Sequence, residues 1–306
     1  MRGLDSPRET TVTRGIFPSW RDLVTLQSIM DRTSGVPQVS IALIDGPVAV
    51  DHPGLAAATI RAIGDTGAGC RGGLSVACQH GTFVAGVLVA SRESGAAAIC
   101  PGCTLLVRPI FSEGSMARDR MPVATLDALA DAIVDSVNAG ARLVNVSAAL
   151  GGPSGVTGRR LLEALDHAAQ RGAIVIVAAG NQALGSSLIT RHPWVVPVVA
   201  CDAAGLPVAD ANVSHAIGRS GLRAPGVEIR SLEAGGALTT FSGTSAAAPF
   251  VTGTLALLWS LFPAAPAHDL RRAVTQVARR RAIVPPLLDA AAAFAWLRHR
   301  HGCAVQ

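Results

Sequence analysis

The 306-residue sequence contains no lysine and has few aromatic or charged residues. The positive side of its net charge of +5 is therefore carried by arginine alone, and aromatic residues make up only 4%. Proteins that bind nucleic acids usually present a basic surface interleaved with aromatics. Here the arginines are scattered, apart from Arg279-Arg280-Arg281 near the end of a predicted helix, where cations complement the helix dipole. The composition therefore predicts no nucleic-acid partner.

The sequence also lacks the features that direct a chain to or across a membrane. No stretch approaches the roughly 20 consecutive apolar residues that a membrane span requires. Residues 1–13 mix both charge signs and have no apolar core, unlike a secretory signal peptide. With 49% hydrophobic and 15% charged residues, the chain is globular and can bury a substantial core. We therefore predict a soluble, cytoplasmic protein with no membrane partner.

Cysteine is another scarce residue type, with six copies at positions 70, 78, 100, 103, 201 and 303. In a reducing cytosol these thiols are expected to stay unpaired. Cys100 and Cys103 have redox-motif spacing but lack the flanking strand and helix of a thioredoxin unit. A zinc site needs a second ligand pair, and none follows at a suitable spacing. We predict no metal and no cofactor. Cys70–Cys78 and Cys100–Cys103 are the local bridges that an oxidising environment would permit.

Short apolar runs alternate with helical patterns along most of the chain. The predicted strands are Val39–Ile44, Thr104–Ile110, Leu143–Val146, Ile174–Ala178 and Val195–Ala200. The predicted helices are His80–Ser91, Leu126–Ala139, Gly158–Gln170 and Ser245–Leu261. This alternation predicts an α/β fold, a doubly wound and mostly parallel sheet with helices on both faces.

A predicted hairpin and the predicted domain boundaries complete this description of the chain. Residues 227–232 and 238–241 predict a hairpin that leads into the last of these helices. No linker or internal repeat divides the chain, so we predict a polar leader over residues 1–14. A single domain is predicted over residues 15–297, followed by a tail over 298–306.

Four polar residues stand where such a fold builds its sites. Asp45 follows the first predicted strand and Asn181 follows the strand that ends at Ala178, and ligands bind at the carboxyl ends of parallel strands. His80 and Ser245 each begin a predicted helix. Each residue alone also has an ordinary explanation as a turn former or helix cap. Together they offer an acid, an imidazole, an amide and a hydroxyl.

The order of these motifs resembles the subtilisin-like serine protease family. The matching segments are Ile44-Asp45-Gly46, His80-Gly81-Thr82, Ala179-Gly180-Asn181 and Gly243-Thr244-Ser245-Ala246-Ala247-Ala248-Pro249. The resemblance implies that Ser245 is the nucleophile, His80 the general base and Asp45 the residue that orients it. It also implies that the Asn181 side chain and the Ser245 backbone N–H form the oxyanion hole. Substrate is expected to pair with the backbone of Ser147-Ala148-Ala149 and to contact Gly180.

Within the family, Ile44-Asp45-Gly46-Pro47-Val48 resembles the cyanobactin-maturation branch, as do Cys100-Pro101-Gly102-Cys103 and Arg108-Pro109-Ile110-Phe111. This branch trims ribosomally made peptides, so we predict a serine endopeptidase that removes a leader or follower segment from a modified precursor peptide. The alternatives are a general subtilisin-like protease, a macrocyclase, and a pseudoprotease that binds peptides without cutting them.

Two further features depart from the family pattern, and a third resembles a dinucleotide-binding motif. Phe83 stands where the family more often has histidine or arginine, and we expect it to change packing near the site. Gly54 and Arg92-Glu93 stand where secreted relatives bind calcium, and they offer too few oxygen ligands. We therefore predict no calcium there. The glycine pattern over residues 67–72 lacks the preceding strand of a dinucleotide site and is interpreted as a loop.

Overall fold

The structure is a computed structural model that describes residues 19–64, 69–70, 75–111, 124–147, 158–275 and 282–302. Its strands are β1 Ser40–Asp45, β2 Thr59–Ala62, β3 Thr104–Pro109, β4 Leu143–Val146, β5 Ile174–Ala178, β6 Val196–Cys201, β7 Leu222–Pro225, β8 Ile229–Leu232 and β9 Leu238–Phe241. Its α-helices are α1 Trp20–Leu23, α2 Gln27–Met30, α3 Val76–Val89, α4 Leu126–Asn138, α5 Arg159–Gln170, α6 His215–Ser220, α7 Thr244–Leu261, α8 Ala267–Thr275 and α9 Ala290–His301. Short 3₁₀ helices cover Pro53–Leu55 and Ile189–Arg191.

Seven strands form one parallel sheet in the order β2-β3-β1-β4-β5-β6-β7. The chain places β1 in the middle, adds β3 and β2 on one side, and then returns to add β4 to β7 on the other. The carboxyl end of β1 is therefore a topological switch point, where doubly wound sheets open a crevice. Strands β8 and β9 form the predicted antiparallel hairpin. The predicted α/β fold class is confirmed.

Alternate residues of each central strand enter two separate hydrophobic cores, as the period of two in a strand requires. In β1, Ile41 and Leu43 belong to the core that also contains residues of α3 and α7. Ala42 and Ile44 belong to the other core, with residues of α4 and α5. Because both faces are covered, the strands read as continuous apolar runs.

Helix α7 is the most apolar long helix of the described residues. By length and composition it could cross a membrane, but 89% of its residues are buried inside the protein. It packs against β4, β5, β6 and β7 as well as α3, which makes it a central core helix. Gly243 precedes it with φ 132°, a conformation that side-chain-bearing residues rarely adopt.

The structure corrects two details of the predicted elements. Helix α3 begins at Val76, four residues before His80, and the Ser75 side chain caps it by accepting a hydrogen bond from the Cys78 backbone N–H at 3.1 Å. His80 therefore lies in the second turn of this helix. Strands β2 and β7 lie at the two edges of the sheet and were not predicted, because neither contains an apolar run: β2 is mostly exposed, and β7 contains an arginine and a proline.

The cysteines also differ from the expectation of unpaired thiols. Cys70 and Cys78 form a disulfide, whereas Cys100, Cys103 and Cys201 are free and buried. The bridge joins helix α3 to the segment that pairs with Val48 just after β1. Cys303, Ala148, Ala149, Arg279-Arg280-Arg281 and most of the glycine pattern over 67–72 lie outside the described residues. Helix α9 continues to His301, and the predicted division into leader, domain and tail stays a prediction.

Candidate active site

Three of the predicted site residues lie at the carboxyl ends of adjacent strands. Asp45 ends β1, Ser147 follows β4 directly, and Asn181 comes three residues after β5 ends. These strands are neighbours in the order β1-β4-β5, and their carboxyl ends point the same way. The parallel topology therefore gathers side chains that are far apart in sequence.

Asp45 and His80 form a buried hydrogen-bonded pair. The His80 Nδ1 atom lies 2.7 Å from Asp45 Oδ1, and the relative exposures of these residues are 7% and 0%. A carboxylate can only accept, so Nδ1 carries the proton and Nε2 is left as the free acceptor. The Gly46 backbone N–H also donates to Asp45 Oδ1, at 2.6 Å. Asp45 Oδ2 is buried and has no hydrogen-bond partner among the described residues.

The surroundings of His80 change its basicity in two opposing ways. Burial lowers the pKa of His80, because the charged ring loses hydration. The negative charge of Asp45 and its hydrogen bond to the ring act against burial and prevail, so the pKa of His80 is raised above its ordinary value. The result is an imidazole that accepts a proton more readily than a free histidine.

Asn181 lies against the start of α7, directly before Ser245. Its Oδ1 atom accepts a hydrogen bond from the Thr244 backbone N–H at 3.0 Å. Since a backbone N–H must meet an acceptor, this contact fixes which end of the amide faces the helix. Gly180 is held at the same place, because its backbone N–H donates to Thr244 Oγ1 at 3.1 Å. Among the described residues Asn181 Nδ2 has no hydrogen-bond partner, so this group can donate to another acceptor.

Ser245 is the second residue of α7 and is partly exposed, whereas its neighbours Thr244 and Ala246 are buried. Within the described parts of the chain, no hydrogen bond joins its hydroxyl to His80. Such contacts are often long in ligand-free enzymes and shorten when substrate binds. The two residues are nevertheless connected through packing, because α3 contacts α7.

Two phenylalanines pack beside the histidine. The rings of His80 and Phe241 are stacked at a centroid distance of 6.2 Å and an interplanar angle of 24°. Phe241 stacks in turn on the fully buried Phe83 at 4.6 Å and 28°. Phe83 thus affects packing near the site, as expected, and the contribution of Phe241 was missed. Its position four residues before Ser245 was the only signal in the sequence.

Arg92 and Gly54, which mark the region where we predicted no calcium, both form hydrogen bonds within the protein. The Arg92 guanidinium donates to the carbonyl oxygens of Met30, Thr33 and Ile99 at 2.9, 3.0 and 3.4 Å. The Gly54 backbone N–H donates to the His52 ring at 2.9 Å. A cationic side chain therefore lies among carbonyl oxygens in this region. Among the described residues, no group of three or more His, Cys, Asp or Glu side chains is arranged to hold a metal ion.

Comparisons with known proteins identify the family of this chain and relatives of its fold. A model of the subtilase family matches residues 37–292. Subtilisin DY of Bacillus licheniformis is 30% identical over 250 residues, which cover 78% of this chain and 83% of that protein. The prenylagaramide maturation protease PagA has a similar structure, with a TM-score of 0.77 and 27% identity over 89% of this chain and 98% of that one. The structure of the patellamide maturation protease PatA is also similar, with a TM-score of 0.73 and 28% identity over 87% of this chain and 98% of that one.

The fold and these matches define a serine endopeptidase of the subtilisin type. The chain belongs to the subtilase family, as the order of its motifs predicted. The solved structures with similar folds include maturation proteases of the branch that the sequence resembles.

Proposed function

We propose that this chain hydrolyses peptide bonds with Ser245 as nucleophile, His80 as general base and Asp45 as the group that orients His80. The observation that carries the proposal is the buried hydrogen bond of 2.7 Å between His80 Nδ1 and Asp45 Oδ1. It leaves Nε2 unprotonated and turned away from the carboxylate, which is the tautomer that a general base needs.

The reaction follows from these positions. His80 Nε2 takes the proton of the Ser245 hydroxyl as its oxygen attacks the scissile carbonyl, and the imidazolium then protonates the leaving amine. Water attacks the resulting acyl-enzyme, again with His80 as base. The buried Asp45 carboxylate stabilises the imidazolium at both stages, which agrees with the raised pKa of His80.

The tetrahedral intermediate carries a negative charge on its oxygen and needs hydrogen-bond donors. Asn181 Nδ2 and the Ser245 backbone N–H are the donors that we assign to it. The contact between Asn181 Oδ1 and the Thr244 N–H, at 3.0 Å, supports this assignment, because it engages the oxygen of the amide and leaves the NH₂ group to donate elsewhere. Donors that are already oriented before the reaction are the effective ones, because no reorganisation is needed as the charge develops.

We further propose that the substrate is a ribosomally made precursor peptide from which a leader or follower is removed. PagA and PatA are named as maturation proteases of prenylagaramide and patellamide. An extended peptide would pair with the backbone beyond β4, at Ser147-Ala148-Ala149, and pass Gly180. Of these, Ser147 and Gly180 are described, and both lie next to the start of α7.

A fluorophosphonate probe tests the assignment of the nucleophile. We expect stoichiometric labelling of the protein and none of the Ser245→Ala variant. Folded wild-type protein that takes up no label would instead support the alternative of a pseudoprotease that binds peptides.

The substrate class needs a separate experiment. We expect a precursor peptide encoded beside this gene to be cut at one position, while fluorescein-labelled casein stays intact. Rapid digestion of casein would favour a general subtilisin-like protease, and a cyclic product lacking one water would indicate a macrocyclase.

We also propose a cytoplasmic location, as the sequence predicted, with the Cys70–Cys78 disulfide as its most direct test. A reducing cytosol keeps most thiols unpaired. Acid quenching of cells followed by alkylation in denaturant, which also exposes the buried Cys78, should therefore find this bridge reduced and modify both cysteines. Complete protection of both from alkylation would place the protein in an oxidising compartment.

A further inference from the structure

The carbonyl group of Ser245 lacks its regular helical partner. In an α-helix the carbonyl of one residue accepts a hydrogen bond from the N–H four positions later. For Ser245 that residue is Pro249, which lies inside α7 and has no N–H. The carbonyl therefore needs a donor from elsewhere in the protein, because buried backbone groups are rarely left unpaired.

The side chain of Ser147 supplies a donor. Its Oγ atom lies 3.3 Å from the Ser245 carbonyl oxygen, and Ser147 is only 3% exposed. The same hydroxyl accepts a hydrogen bond from Asn145 Nδ2 at 2.8 Å. Since a serine hydroxyl has a single proton, accepting from Asn145 leaves that proton to point at the Ser245 carbonyl.

Asn145 is fixed in turn by the helix that carries Ser245. The Thr252 hydroxyl donates to Asn145 Oδ1 at 2.7 Å, and both residues are completely buried. Thr252 belongs to α7, about two turns after Ser245. The hydrogen bonds run from Thr252 through Asn145 and Ser147 back to Ser245, so they join the end of β4 to α7 at two points. A buried polar network that is fully satisfied holds its members in one arrangement.

We propose that Ser147 is a positioning residue for the nucleophile. Its side chain replaces the helical donor that Pro249 removes, and this holds the first turn of α7 so that the Ser245 hydroxyl faces His80. The inference rests on the proposed role of Ser245. Because the backbone of Ser147 lies at the edge assigned to the substrate, one residue connects the bound peptide to the nucleophile.

The variant Ser147→Ala tests this role through the kinetics of inactivation by a fluorophosphonate. We expect the maximal inactivation rate to fall about three- to tenfold, the rate equivalent of one neutral hydrogen bond, while the apparent affinity for the probe changes less than about twofold. Ser136→Ala is the matched control, because Ser136 is equally buried and donates to the Ala132 carbonyl at 2.6 Å, on α4. It should leave both constants unchanged.

A rescue experiment separates positioning from a general loss of packing. Pro249→Ala restores a backbone N–H that can reach the Ser245 carbonyl, so in the Ser147→Ala background it should recover most of the lost rate. Thr252→Val should resemble Ser147→Ala in rate, whereas Thr254→Val should not, because among the described residues the Thr254 hydroxyl bonds only the Phe250 carbonyl, at 2.8 Å. Melting temperatures of all variants identify any that fail to fold.

The outcomes distinguish this inference from the proposed function. Wild-type protein that is never labelled would contradict the role of Ser245 itself. Wild-type protein that is labelled, with an unchanged rate in folded Ser147→Ala, would overturn the positioning role alone. A slow Ser147→Ala variant that Pro249→Ala does not rescue would also overturn it.

Discussion

The buried pair of Asp45 and His80 predicts that activity and stability respond to pH in opposite directions. Catalysis needs the neutral ring, so kcat/KM should rise as pH increases through the pKa of His80 in the folded enzyme. Stability should change the other way. The folded-state pKa of His80 is raised, so the stabilisation from the charged pair is fully present below the unfolded-state pKa of about 6.5 and is lost as pH rises through the folded-state pKa.

Asp45→Asn removes the charge and retains an acceptor for the ring. A hydrogen bond to a charged group stabilises the folded protein by about 1.5–3 kcal/mol, and a hydrogen bond between neutral groups stabilises it by about half as much. At pH 5.5 the variant should therefore be less stable than wild type by about 1–2 kcal/mol in urea unfolding. At pH 9 the difference should be much smaller, because the ring is then neutral in both proteins.

The assay is urea unfolding of both proteins at several pH values, alongside the kcat/KM profile of the wild type. A stability difference that grows with increasing pH would refute this account of the pair. So would a kinetic pKa of the free enzyme below that of an ordinary histidine, because burial would then outweigh Asp45.

Three further predictions concern other parts of the chain. Arg92→Ala should lower the melting temperature by several degrees, whereas a chelator should not, because the Arg92 guanidinium contacts the carbonyl oxygens of this region; a large effect of the chelator would contradict this. Phe241→Ala should reduce kcat, because the ring that packs against His80 is lost. Expressed as a free energy, this loss should exceed the change in the free energy of unfolding; an unchanged kcat would argue against it. Burial raises the pKa of Asp269, but its hydrogen bond to Arg300 and the nearby charges outweigh burial, so the pKa is lowered. Asp269→Asn should therefore lose stability relative to wild type at neutral pH, and this deficit should shrink as pH falls through that pKa; a deficit independent of pH between 2 and 7 would contradict this.

Much of the central fold was predictable from sequence because its signals are local. Strands β4 and β5 have the predicted bounds, since each is a short apolar run buried on both faces. The places of Asp45 and Asn181 followed from the same runs, because a parallel sheet brings its carboxyl strand ends together. The edge strand β7 escaped prediction because Arg223 and Pro225 interrupt its apolar pattern.

The interactions that support the site were harder to predict. Asn145 and Thr252 are 107 positions apart, and nothing in either segment indicates that their side chains meet. The stack of Phe83 on Phe241 likewise depends on how the β8–β9 hairpin packs on α3. Such contacts depend on tertiary packing, which hydrophobic periodicity and motif spacing do not predict.

The central claim is that folding brings Ser245, His80 and Asn181 into one site for peptide-bond hydrolysis. A crystal structure of the fluorophosphonate-treated protein tests this claim most directly. We expect phosphorus bonded to Ser245 Oγ, with a phosphonyl oxygen about 2.7–3.1 Å from both Asn181 Nδ2 and the Ser245 backbone nitrogen. An adduct on another residue, or a phosphonyl oxygen turned away from Asn181, would contradict it.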